Sequence, residues 1–136
     1  MCLAIYVGCE APLPESAWDK NAPGFFLEQV PTKEAVRGQF RSAHVYYAGS
    51  HEGCGCGFAK DGKDGDELEQ CQQNYRALAA ILSPAVSGGA QVQIFTCWEG
   101  EQTKEARTAE AVTVTQLVVP GFEFQQRTLL TVREGK

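Results

Sequence analysis

Apolar residues in this chain gather in short runs, separated by glycine, proline and charge. Cys2 to Val7 is almost wholly apolar and stops at Gly8, which predicts a buried first strand. The next stretch, 9–24, is polar and broken by Pro12, Pro14 and Pro23, a long connection in which Trp18 can fold back as a hydrophobic anchor. Phe25 to Val30 predicts a second strand. Pro31-Thr32 then opens a short helix over about 32–40, with Thr32 as N-cap and Glu34 near the positive end of the dipole. His44 to Gly49, rich in β-branched and aromatic residues, predicts a third strand.

The clearest helical signal follows. Leu68, Cys71, Tyr75, Leu78 and Leu82 are spaced three and four apart, one continuous stripe on a 3.6-residue period. Asp64 or Asp66 can cap this helix, expected over about 66–82, and Asp66, Glu67 and Glu69 favour its first turn. Pro84 and Gly88-Gly89 are read as its end. Gln91 to Trp98 predicts a strand, 99–110 a polar loop or helical turn, Val112 to Val119 a strand, and Phe122 to Val132 a further strand or two. Helix and strand do not alternate regularly. The fold class expected is therefore α+β: one compact domain, 1–136, with a mostly antiparallel or mixed sheet of about five strands and the long helix on one face.

The pattern breaks between the third strand and the long helix. There His51-x-x-Cys54-x-Cys56 places three potential soft ligands within six residues, the cysteines alternating with Gly53, Gly55 and Gly57. Thiolate and imidazole together suit Zn(II), or Cu(I) where thiolate dominates. A metal site here takes His51, Cys54 and Cys56, with His44, Cys9 or Cys97 to complete it. The same groups permit thiol chemistry: a Cys54–Cys56 disulfide across Gly55, or a cysteine nucleophile with His51 or His44 as base. A third reading is a structural or interaction domain whose tight turn uses cysteine as a small hydrophobe. The density of glycine adds one expectation: a turn that only reverses the chain needs one or two, so the excess implies positive φ angles or close approach to something bound.

Composition narrows the classes. Apolar residues at 43% and charged residues at 21% describe an ordinary globular chain. A net charge of -5 with no basic stripe sets nucleic acid aside, because that binding depends on neutralising phosphates. No run approaches the ~20 apolar residues of a membrane span, and the opening lacks the basic n-region of a signal peptide. A cytoplasmic location is the expectation, and the six cysteines are then reduced, metal-bound or catalytic rather than a disulfide framework.

Two near-matches are set aside. Gly57 to Lys63 has the glycine and lysine spacing of a phosphate-binding P-loop, but Asp64 stands where the Mg²⁺-binding hydroxyl belongs. The acidic run Asp61, Asp64, Asp66 lacks the ligand alternation of a calcium loop. At the start of the chain, Met-Cys-Leu-Ala-Ile resembles the opening of small hydrogenase-maturation chaperones, whose second residue is a working cysteine; the resemblance ends at Tyr6, where that family has proline. Met-Cys also resembles the start of class II glutamine amidotransferases, with Leu3 in place of their glycine. Cys2 itself is expected to be a buried residue of the first strand.

Overall fold

A computed structural model describes residues 2–135. Its centre is β1 (Leu3–Cys9), every residue of which is buried. Antiparallel neighbours flank it, β3 (His44–Gly49) on one side and β4 (Val92–Trp98) on the other. Both faces are covered. Leu3, Ile5, Val7 and Cys9 join the core under the long helix, while Ala4 and Tyr6 join a second cluster with Val36, Phe40, Phe95 and Cys97. A strand covered on both faces reads as a continuous apolar run, which is why Cys2 to Val7 shows no alternation.

The full sheet has six strands in the order β2-β3-β1-β4-β6-β5, completed by β2 (Phe26–Gln29), β5 (Thr108–Thr113) and β6 (Thr128–Arg133). All neighbours are antiparallel except β5 and β6, so the sheet is mixed and the fold is α+β. The segment expected as a short helix over 32–40 is a 3-10 turn, Ala35–Gln39, entered from Glu34 without a side-chain cap rather than from Thr32.

Helix α1 (Gly65–Ser87) runs about a turn beyond its expected end. Pro84 lies inside it, in the last turns, and the chain leaves the helix at Gly88 and Gly89, the latter with φ +89°. Four of the five stripe residues, Cys71, Tyr75, Leu78 and Leu82, have no exposed surface. Leu68 is 37% exposed, and the buried face takes in Gln72 and Asn74 instead. No described helix is long and apolar enough to cross a membrane.

The C-terminal third departs most from its expected elements. The run expected as a strand over 112–119 breaks at Thr113, whose hydroxyl accepts from the Gln116 N–H while the Gln116 side chain accepts from the Thr113 N–H. This capping box starts the short helix α2 (Val114–Leu117) and outweighs the β-branched composition. Residues 120–127 form a loop rather than strand. Arg127 holds the neighbouring loop through two bonds from its guanidinium to the Glu105 carbonyl.

Candidate metal centre

The loop that follows β3 is built around Ser50, which is fully buried. Its hydroxyl donates to the Cys54 carbonyl (2.6 Å) and accepts from the N–H groups of Glu52 (3.2 Å) and Gly57 (3.0 Å). Its own N–H donates to the Cys54 carbonyl as well (2.9 Å). One side chain therefore closes the loop on itself and supplies partners that a short irregular segment cannot find within its own backbone.

The alternating glycines each answer a specific demand. Gly53 has φ +82°, where a side chain is strained, and the Trp18 indole lies over it. Trp18 also donates its indole N–H to the His51 carbonyl (3.3 Å), so it folds back onto the loop, although at 39% exposure it covers the surface rather than serving as the hydrophobic anchor expected of it. A Cβ at Gly55 would overlap the Leu3 carbonyl, and one at Gly57 would overlap the Ser50 hydroxyl. The close approach at Gly55 and Gly57 is therefore to the protein itself, to β1 and to Ser50, rather than to something bound. It presses the 3-10 turn Gly55–Phe58 against the start of β1 and brings the loop cysteines to Cys2.

Cys2, Cys54 and Cys56 have their sulfurs within 4.8 Å of one another, a group that could hold a metal ion. With metal–sulfur bonds of ~2.3 Å, ligand sulfurs sit ~3.8 Å apart in a tetrahedral site and ~4.0 Å apart in a trigonal one. Movements of about an ångström or less, within the reach of side-chain rotation, close the group onto an ion. All six cysteines are free thiols. The Leu3 N–H donates to the Cys56 sulfur (3.4 Å) and the Cys56 N–H to the Cys54 sulfur (3.5 Å), contacts that favour charge on sulfur. Without a cation, burial pushes the Cys54 thiol up to about 12, partly offset by the Cys56 N–H and reinforced by the Cys56 and Cys2 thiols. Burial likewise raises the phenol of Tyr47, which stands beside Cys54.

The histidines lie elsewhere. No histidine or carboxylate joins the sulfur group among the described residues. His44 pairs with Cys9 at the far end of β1, roughly 24 Å from Cys2 at ~3.4 Å per strand residue. Cys9 is there with it, and Cys97, paired with Ala4, belongs to the second core cluster. His51 is in the loop, but its Nδ1 is 2.9 Å from the Asn74 amide nitrogen, which also donates to the Gly57 carbonyl (3.1 Å). The Gly57 bond fixes the amide with its NH₂ toward the ring. Nδ1 is then the acceptor, and the ring proton is on Nε2. His51 in this arrangement has no lone pair to offer a metal or a thiol proton.

Lys63 straps the loop to α1. Its ammonium donates to the Cys56 carbonyl (3.0 Å), pairs with Glu52 (3.3 Å) and lies 3.6 Å from the Cys71 sulfur. Burial raises the Cys71 thiol, opposed by Lys63. Sequence reasoning missed three parts of the centre: Cys2, Ser50 and Asn74. The Met-Cys opening was a signal for the first, and a polar residue beside the apolar stripe of α1 was one for the last. Ser50 carried no signal beyond its place between a strand and a glycine-rich turn. Comparisons of the chain with protein-family models, with curated proteins and with solved structures find no match.

Proposed function

We propose that this protein binds one thiophilic transition-metal ion through Cys2, Cys54 and Cys56. The observation that carries the reading is the convergence of three sulfurs from two separate parts of the chain, without imidazole or carboxylate in the group. Three thiolate donors suit Cu(I), which is soft and content with few ligands. Zn(II) is the second choice, since a closed structural zinc site takes four ligands. A water molecule would supply the fourth. The two N–H···S contacts support the same reading, because they hold the sulfurs of Cys54 and Cys56 in place. A reducing compartment such as the cytoplasm keeps all three thiols available. The acidic net charge gives no support to a nucleic-acid partner.

The test is loading with Cu(I), and separately with Zn(II), in reducing and oxygen-free buffer, followed by gel filtration and metal analysis. One equivalent of copper should stay with the protein. Cys54→Ser or Cys56→Ser should weaken retention by about a hundredfold or more, since losing even an outer-shell partner costs 10–100-fold. His44→Ala and His51→Ala should retain the metal. A protein that retains neither ion overturns the reading. Ready formation of a Cys54–Cys56 disulfide in a mild glutathione buffer would then favour the thiol-redox alternative, which the contact between those two residues also permits.

A further inference from the structure

Resting on the metal-binding reading, we infer that the centre exchanges its ion with an external thiol and that Cys2 is the ligand that gives way. The three sulfurs are not equivalent. Cys54 and Cys56 are half-buried, and each accepts a backbone N–H. Cys2 is exposed, and among the described residues its sulfur accepts no backbone N–H. Its backbone is held at the end of β4, where its carbonyl accepts the Glu99 N–H (2.8 Å), but its side chain is exposed, whereas Cys54 and Cys56 are fixed by the Ser50 hub and by the Gly55 contact with β1. An incoming thiol therefore meets an ion held firmly on one side and loosely on the other.

The step is a ligand substitution. A bond forms between the metal and the external sulfur as the bond from the metal to the Cys2 sulfur breaks. The proton of the incoming thiol passes to Cys2 or to water. No electrons move, and the metal keeps its oxidation state. The intermediate has Cys54, Cys56 and the external thiolate around the ion, three sulfur ligands as before. The partner is defined by one chemistry, an accessible thiol, which a small monothiol or a cysteine on another protein could supply.

A rescue experiment tests this, using the full chain, Cu(I) buffered by a colourimetric chelator, and Cys2→Ser, Cys54→Ser and Cys56→Ser. Cys2→Ser alone should lower affinity by at least about tenfold, and millimolar glutathione should restore most of that loss, because the monothiol takes the vacated place. Cys54→Ser and Cys56→Ser should not be restored. In the wild type, copper transfer to the chelator should speed up in proportion to added monothiol. A second arm replaces glutathione with a folded carrier protein bearing one surface cysteine. Rescue by glutathione alone assigns the partner to small thiols, and rescue by the carrier extends it to proteins. Wild-type protein that fails to bind copper refutes the metal-binding reading itself. Wild-type protein that binds, with Cys2→Ser rescued by neither thiol or all three variants rescued alike, refutes only the exchange role of Cys2.

Discussion

Six cysteines divide between two environments. Cys9, Cys71 and Cys97 are fully buried and sit apart: Cys9 and Cys97 fill space in the two core clusters as small hydrophobes, and Cys71 lies on α1 between the Ala59 carbonyl and the Lys63 ammonium. Cys2, Cys54 and Cys56 are exposed or half-buried and meet at one point beside the start of β1. The side chain is the same in both sets. What differs is the number of apolar neighbours and the presence of one another. A cysteine surrounded by Val, Phe and Tyr contributes packing, while three that share a partly open corner form a donor set.

The comparison can be broken in four ways. The largest effect should come from Leu78→Ala, which empties part of the core under α1 and should cost ~2–5 kcal/mol. It should also make Cys71 reactive toward a thiol reagent while leaving Cys2, Cys54 and Cys56 as accessible as before. Equal labelling of Cys71 in both proteins would show that the core around it is looser than its burial indicates. Chemical denaturation supplies the stability and mass spectrometry the labelling.

Next in size is the pair Cys97→Ser and Cys2→Ser. The first puts a hydroxyl among Ala4, Tyr6, Val45 and Phe95 and should cost ~1–3 kcal/mol, the desolvation cost of an unsatisfied buried polar group. The second changes an exposed residue and should stay within about 0.5 kcal/mol. Similar losses for both would erase the distinction between the two sets. Gly55→Ala should follow at ~1–3 kcal/mol, from overpacking against the Leu3 carbonyl. It should also weaken copper retention by pushing Cys54 and Cys56 away from Cys2. Unchanged retention would mean that the glycine contact does not set the sulfur geometry.

The smallest effect is one of pH. Burial pushes the Cys97 thiol up to about 12 from an ordinary value of 9.0, with Glu99 and Glu101 adding to it, and Cys54 is raised similarly. The folded state holds these protons more tightly than the unfolded chain. Their contribution is therefore fully present below pH 9 and is lost as the pH climbs toward 12. Thermal unfolding between pH 8 and 10.5 should show a falling midpoint, with a shallower fall in Cys97→Ala. Parallel slopes would remove Cys97 as a cause. The phenols of Tyr47 and Tyr75, both raised by burial, account for what decline remains.

Local pattern alone carried the boundaries of β3, the position of α1 and the burial of Cys71, Tyr75, Leu78 and Leu82, because helix and strand periods are imposed by backbone geometry before any packing occurs. It also marked 51–57 as the unusual loop, since glycine density reports a backbone demand whatever meets it. It misjudged Val114–Leu117, where a capping box overrides composition, and Leu68, which the fold leaves 37% exposed. The third sulfur was beyond its reach. Cys2 lies more than fifty positions from Cys54 in the chain, and nothing in the spacing of residues connects them. Their meeting depends on β1 and β3 being antiparallel neighbours, with Ile5 opposite Ala48, so that the start of one strand lies beside the loop that leaves the other. The same register sends His44 to the opposite end, beside Cys9. A strand pairing shifted or reversed would have assembled a different set of ligands from the same sequence, because which distant side chains share a corner is decided by the sheet.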